Sequence, residues 1–554
     1  MVIGKARVFG SPVPLKSFSV LAAEDRMLAD ERFAEPGSLT WLLREYSSLL
    51  FPGWLLDGWR GGGPRGRRAW PAPLLFALLL LRHSEAGLSR VGAVRRAGSD
   101  ALWRTALGLP WSSEPPDERT LRDFEAFLRA RHPSVNRPRF ELAFEHWTRL
   151  CLERELVADR VWMIDSTPMW CFGAVLDTVR LLGDGLRSLG KRWARARKVG
   201  LPVVAREWGE PLLTALSTKG YFEGTDWADS KARGEVLAKL ATSVRHATEL
   251  VLAELESVRE NKRLPLSRLA RNILRVVGED LETDATGAVQ VVERTTSARL
   301  ISYTDPEAQH FRKSKSKVCH GFKLHALGDA VSGLILALSV TPGGHHDSTQ
   351  LHPLVARARE LCGDFRELLA DAAYGGVGIR TETRDRHGVI VIAPPVGNAH
   401  RGEGPGKEDF AIDFDAMRAT CPGGVSTSEW KFARDGDQET PQFTWSKESA
   451  GACACPECPV HRDRRRHLKL HPLERELRAI RASWAKPETR TRYRRRTEGE
   501  RLMREMTRRG ARRAGAWGLE SASLQAHCAG GVNNLRLLAR LLASEPKTTT
   551  RTAA

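Results

Sequence analysis

The sequence predicts an α/β chain carrying long helical additions, and three observations predict it. Short β-prone runs, "LVADRVWMIDSTPMWC" (156–171), "FRELLADAAYGG" (365–376) and "GVIVIAPP" (388–395), alternate with stretches of three-four apolar spacing. A hairpin pattern, "VCHGFKLHALGDAVSGLILALSV" (318–340), has two apolar runs around the turn-rich "GDAVSG". Hydrophobic residues make up 42% of 554, enough for real cores and too much chain for one ordinary domain.

The elements follow in order. Residues 1–37 read as an N-terminal arm. Residues 38–150 read as a helical domain, with "SLTWLLREYSSLLF" and "PLLFALLLLRHSEAG" separated by the loop "GWRGGGPRGRRAWP". "PDERTLRDFEAFLRARHP" adds an acidic start and a His-Pro stop. Such a bundle packs and dimerises, or it also grips DNA; the pattern leaves both open. After the run ending in Asp165, residues from about 172 to 300 form a large helical insert, shown by "LDTVRLLGDGLRSLGKRWARAR" and "GEVLAKLATSVRHATELVLAELESVRENKR". The hairpin, a helix in "TPGGHHDSTQLHPLVARARELCG", the strand ending in Asp371 and the strand of 388–395 come next. Residues 396–471 are polar and Gly-rich, an irregular or β insert with a Cys cluster. Residues 472–543 return to basic helices, and 544–554 form a disordered tail.

The chain holds 86 Lys and Arg against 67 Asp and Glu, a formal charge of +19, which favours a polyanionic partner. The longest apolar run, "PAPLLFALLLLRH", is about half of the roughly 20 residues that a membrane span needs, so no membrane partner is expected. The start carries no secretory pattern, which points to the cytoplasm. Glycine-rich stretches lack the Lys-Ser/Thr that completes a Walker-type phosphate loop.

Asp165 and Asp371 each end a β-prone run, where ligand chemistry in open α/β sheets collects. Either acid alone reads as a turn cap. With a third carboxylate on a basic chain, they suit the holding of two divalent ions about 4 Å apart over a phosphodiester. The third acid lies in "TRYRRRTEGERLM" (491–503). Helical residues turn by about 100° each, so Glu498 and Glu500 sit about 200° apart and cannot serve one site. Glu498 has Arg494, Arg495 and Arg501 around it, the pattern of a solvated face. Glu500 shares its face with Tyr493, Arg496, Met503 and Thr507. Arg496 and Arg504, four residues to either side, are placed to orient Glu500 or to contact a cut strand. Gly499 marks a close approach of backbone or DNA, or a helix start.

The ordered set "MIDST", "LLADAAYGG" and "YRRRTEGER" resembles the DDE transposases of bacterial insertion sequences. The third acid's helix in that family carries Tyr, two residues, Arg, three residues, Glu, six residues, Lys. Tyr493, Arg496 and Glu500 meet that spacing, and Thr507 stands at the lysine position with Arg508 beside it. "SYTDPEAQHFRKSKSKVCHGFKLHAL" and "TPGGHHDSTQL" are similar to the segments flanking the family's central hairpin. The resemblance implies an RNase H-like core of 151–395 and 472–543. It implies Asp165, Asp371 and Glu500 as catalytic residues binding two Mg²⁺ (or Mn²⁺) ions. It implies cleavage at element ends and strand transfer into target DNA. The partners would be double-stranded DNA, as terminal inverted repeats and target, and a second copy in a synaptic homodimer, in a nucleoid-associated setting. Tyr493, Arg496, Arg504 and Lys323 are the candidate DNA contacts, although Lys323 could equally snorkel. Two other readings stand beside this one: a catalytically silent DNA-binding descendant, and a metal-dependent nuclease without strand transfer.

In "GACACPECPVHRDRRRH", Cys453, Cys455, Cys458 and His461 fall within nine residues. Four zinc ligands from so short a stretch would be cramped. Cys421, in "RATCPGG", is the best remote ligand, with His467 and His471 as alternatives to His461. A structural Zn²⁺ and a loop of reduced cysteines both fit the spacing. In "GGHHDST", His345 and His346 read as loop hydrogen-bonders and Asp347 as a residue supporting the site.

Overall fold

The computed structural model describes residues 34–544 apart from 60–68, 157–159, 174, 210–223, 227, 284, 286–288, 293–297, 314–315, 396–405, 436–437, 447, 449–452, 454, 456–457 and 459–466. Most of the expected N-terminal arm, the tail beyond 544 and the zinc candidate His461 therefore lie outside the described residues.

Strand β1 (Trp162–Trp170) does not end at Asp165 as the β-prone run suggested. It continues five residues further, because β1 pairs antiparallel along its whole length with β5 (Trp162 opposite Asp329, Trp170 opposite Gly321). Between them in the chain come the small hairpin β2 (Leu281–Thr283) and β3 (Val289–Val291), and then β4 (Gln309–Arg312). The expected hairpin is present as β5 (Val318–Asp329) and β6 (Ile335–Pro342). β7 (Glu367–Leu369) and β8 (Ile390–Ile392) complete a six-stranded sheet of order β4-β5-β1-β7-β8, with β6 also on β5. β7 runs parallel to β1 and to β8, whereas the β5 pairings are antiparallel. The result is a mixed α/β sheet.

Alternation along β1 assigns its two faces. Trp162 and Ile164 enter the main core, while Met163 and Met169 face the other side. The main core also contains Leu42, Phe76, Leu80, Phe124 and Trp147 from the N-terminal helices, and Val532, Leu535 and Leu538 from the long helix Leu519–Ser544. Helix Ala72–His83, the apolar run considered for the membrane, is buried around nearly its whole circumference. Among the described residues no helix is long and apolar enough to cross a membrane. The boundary expected near 150 thus falls inside one continuous apolar core.

The two inserts have cores of their own. Helices Thr178–Arg197, Leu201–Trp208, Ser230–Ala253 and Glu260–Asp280 pack around Leu186, Trp193, Val244 and Ile273. Arg299 closes this excursion: it donates to Asp280 (2.6 Å) and to Thr178 (2.7 Å), joining the first helix's start to the last helix's end. A fully buried Asp280 is tolerable there because the guanidinium neutralises it. The Cys-bearing segment folds as two three-stranded antiparallel sheets, β9 (Ala411–Asp413) to β11 (Ser426–Thr427) and β12 (Trp430–Asp435) to β14 (His467–Lys469), with Phe443 and Trp445 between them.

One buried amide joins the N-terminal helices, the sheet and the C-terminal helix. Asn534 Oδ1 accepts from Ile335 N–H (3.0 Å), and its Nδ2 donates to Ile335 C=O (2.7 Å) and Thr148 Oγ1 (3.0 Å). It satisfies the backbone of β6 where the β5–β6 register shifts. Asn534→Ala leaves buried donors and acceptors unpaired and should lower stability by about 2–4 kcal/mol, read by urea denaturation.

Candidate active site

Met163 of β1 pairs with Leu369 of β7, so Asp165 and Asp371, each two residues further on, emerge side by side where the parallel pair ends. Asp371 caps the turn Ala372–Tyr374, its Oδ1 accepting from Ala373 N–H (2.9 Å). Asp165 Oδ1 accepts from Ser166 N–H (2.8 Å) while the backbone remains in the strand. The capping role read from the sequence is therefore real for Asp371, whereas Asp165 lies inside a strand and has no turn to cap.

The third element is helix Arg496–Met506, separated by Arg495 alone from helix Pro487–Arg494. Gly499 lies inside this helix, which starts before it, and is buried on Met163: a Cβ there would meet the Met163 sulfur at 1.5 Å. A second seat lies further along, where a Cβ on Gly328 of β5 would meet Leu502 at 2.6 Å. Leu502, Met503 and Met506 complete the packed face. Glu500, the residue after Gly499, is exposed, and among the described residues it has no hydrogen-bond or ion-pair partner. Glu498 is exposed on the other side, with Arg495 at 3.8 Å, as its solvated reading predicted.

Arg496 is the link between helix and sheet. Its Nη2 donates to Asp165 Oδ2 at 3.0 Å. Burial works against this guanidinium, but the charges of Asp165, Tyr493, Asp371 and Glu500 raise its pKa above the ordinary value. Burial pushes the Asp165 carboxyl up, and Arg496 brings it part of the way back. The Asp371 carboxyl is likewise pushed up by burial, against the pull of the Ala373 amide and Arg496. Tyr493 packs edge-on against Trp484 (4.9 Å) in the small cluster with Met163 and Leu369. Arg504 is exposed.

Lys323 does not stand free toward solvent. Its Nζ donates to Asp347 Oδ1 (2.7 Å) and to the His345 carbonyl (2.8 Å). The other Asp347 oxygen accepts from Ser166 Oγ at 2.5 Å, so Asp347 braces β1 one residue beyond Asp165. Burial opposes ionisation of Asp347, but the Lys323 and Ser166 hydrogen bonds hold its pKa below the ordinary value. His346 caps its own turn through Ser348, as the loop reading predicted. Two residues escaped the sequence reading. His325 is fully buried on Thr341 Oγ1 (3.0 Å), and burial pushes its imidazole down to about 4. Tyr374 is buried near the charges of Asp347, Asp371 and Asp165, which with burial drive its phenol well above the ordinary value. The available signal was the tyrosine three residues after Asp371 in "DAAYGG".

Among the described residues, the one group of three metal-capable side chains within 4.8 Å is Cys421, Cys453 and Cys458, all buried. The three carboxylates do not gather that closely; like charges repel, and Arg496 draws Asp165 to itself. Cys421 Sγ lies 3.5 Å from Cys453 Sγ. That separation is far beyond a disulfide's roughly 2.05 Å. It is close to the roughly 3.8 Å between thiolates bound tetrahedrally at about 2.3 Å. Cys455 is half-buried outside the group, His467 faces Thr444 (3.2 Å), and His471 caps Leu473 (3.0 Å).

Residues 289–528 match the family model described as the transposase DDE domain. The match includes Asp371 and Glu500 and begins after Asp165, which β1–β7 pairing brings beside Asp371. No curated protein and no solved structure matches the chain.

His325 makes the support behind the site acid-sensitive. Its folded pKa is lowered from 6.5 to about 4, so its contribution is intact above about 6.5 and lost as pH falls toward 4. Thermal unfolding should show stability declining over that window, and His325→Gln should flatten the decline.

Proposed function

From the membership of residues 289–528 in the DDE transposase family, we propose that the chain is the DNA transposase of an insertion sequence. It cleaves the phosphodiester at the element's ends and joins the freed 3′-hydroxyl to target DNA by in-line displacement. One observation carries this reading: Asp165 and Asp371 end the same parallel pair, and Gly499 seats the Glu500 helix on the strand that holds Asp165. Mixed pairing with the two acids on adjacent parallel strands supports an RNase H-like core of 151–395 and 472–543, interrupted by the 172–300 and 396–471 inserts. The helices of 38–150 would serve DNA binding and dimerisation in a synaptic homodimer. Nucleoid association would follow from the substrate.

The side chains present fit two Mg²⁺ or Mn²⁺ ions in chemistry. Asp165, Asp371 and Glu500 offer hard oxygen donors only. The raised carboxyls of Asp165 and Asp371 belong to a pair short of positive charge, since among the described residues Arg496 is the one cation bonded to Asp165. Divalent metal, when bound, supplies activation of the attacking oxygen and stabilisation of the leaving oxygen. The protein's own residues do the positioning. Arg496 holds the Asp165 carboxylate in place. The Ala373 amide fixes the Asp371 rotamer. Ser166, tied to Asp347 and through it to Lys323, keeps β1 from shifting. Tyr493 and Arg504 border the strand to be cut.

Asp165→Asn should reduce Mg²⁺-dependent cleavage of the element's terminal DNA by at least about 100-fold, since even partners of metal ligands cost 10–100-fold. End binding should remain near wild type in the same gel assay. Joined products from the wild-type protein support transposition. Nicking alone would leave a nuclease, and binding alone a catalytically silent descendant.

Cys421, Cys453 and Cys458 would hold a structural Zn²⁺, because three buried thiols so placed form a thiolate set and not a disulfide. The purified protein should contain about one equivalent of zinc by elemental analysis. Cys458→Ser should lose it with a lower unfolding temperature, whereas Cys455→Ser should retain it.

A further inference from the structure

Past Glu500, the chain builds a cavity of about 380 Å³ whose wall includes Arg501, Arg508, Arg509, Arg536 and Arg540, with Glu505 as the one carboxylate among the described residues. Glu505 is already engaged, bonding Arg508 at 3.3 Å and Arg509 at 2.9 Å. Among the described residues, Arg501, Arg536 and Arg540 have no carboxylate within 4.0 Å. Two parts of the chain assemble this charge. Arg501 comes from the Glu500 helix, with Arg508 and Arg509 on the turn Thr507–Ala511. Arg536 and Arg540 come from one face of the long C-terminal helix, four residues apart, where like charges repel. Arg509 is 6% exposed with its Nε unpartnered, and burial and Arg536 draw its pKa down to about 10. It still carries its charge at neutral pH.

We propose that this cavity seats the phosphate backbone of duplex DNA, as a track leading from the helix that carries Glu500 toward the N-terminal helices. The proposal rests on the DNA-substrate reading above and adds to it a location and a mode of binding. Guanidinium forks match phosphate oxygens in pairs. One phosphate engages two or three such groups, so five on two elements suit successive phosphates better than a lone anion. The surface also continues. A neighbouring cavity of about 370 Å³ shares Arg536 and Arg540 and adds Arg96 from the N-terminal helices. The carboxylates there, Glu85 and Asp100, are both tied to Arg96. Among the described residues no aromatic side chain lines the first cavity, which suits backbone and not base readout. Arg501 and Glu505 fall on the helix face that carries Glu498, which gives that face a partner distinct from the metal site.

The test is fluorescence anisotropy of a labelled random-sequence duplex on the full-length protein, without divalent metal, over a KCl series. Arg536→Gln/Arg540→Gln should weaken binding at least tenfold at 150 mM salt and reduce the log–log salt slope by about 2, near 0.9 per phosphate contact. Arg501→Gln/Arg540→Gln, both exposed, gives the same readout without touching the half-buried Arg536. The control Arg268→Gln/Arg271→Gln, exposed on the helical insert, should leave the slope unchanged. An unchanged slope in both cavity variants overturns the track and leaves the transposase reading standing. So does an equal loss in the control. If inorganic phosphate at matched ionic strength stabilises wild type but not the variants while duplex slopes stay equal, the cavity is a small-anion site and the track is again overturned. Absence of duplex binding by wild type overturns the DNA reading itself, and the track with it.

Discussion

A helix meets a strand here with nothing between them but one buried sulfur. Gly499 rests on Met163, two residues before Asp165 on the same face of β1. Glycine inside a helix costs about 1 kcal/mol relative to alanine. What it provides is distance: any side chain would lift the helix from the sheet and carry Glu500 away from the aspartates. Gly328 under Leu502 repeats the arrangement on β5. Two points define the line of the helix, so the direction in which Glu500 points follows from two absent side chains.

Charge around this contact is unevenly distributed. The two aspartates are half-buried and short of compensation, and Arg496 is the guanidinium bonded to Asp165. On the opposite face of β1, Ser166, Asp347 and Lys323 are satisfied among themselves. One face is therefore rigid while the other would respond to an added cation. Beyond Glu500 the excess reverses, and arginines outnumber their partners. Because the N-terminal helices share the sheet's apolar core and Asn534 joins the two, DNA held by either part would be held in a constant relation to the acids.

Much of this was legible in the chain. The 318–340 hairpin, the strand before Asp371 and the long helices carry strong periodicity, and the structure has them at those places. The choice of Glu500 over Glu498 followed from 100° per residue, and the helix starts early enough for that geometry to apply. The extent of β1 was not legible: "STPMW" has a proline and no clean alternation, and it is a strand because β5 supplies a partner for each residue. Lys323 read as a DNA contact, yet it is engaged by Asp347, 24 residues on. The cramped cysteine spacing already pointed to Cys421, 32 residues before Cys453, and the fold gathers it with Cys453 and Cys458; that Cys455 stays outside the group was not legible.

The sequence by itself determined the order of the elements, the candidates for the acids and the amphipathic faces, because these depend on residue type and on periods of 2 and 3.6 along the chain. Tertiary structure alone decided which groups meet. Asp165 and Asp371 lie more than 200 residues apart in the chain and are neighbours only through the parallel pairing of β1 with β7. The arginines after Glu500 and those of the last helix likewise form one surface only because both elements cross the same end of the sheet. Such encounters depend on strand register and on the few places where a missing side chain lets two backbones touch, and neither is periodic in the chain.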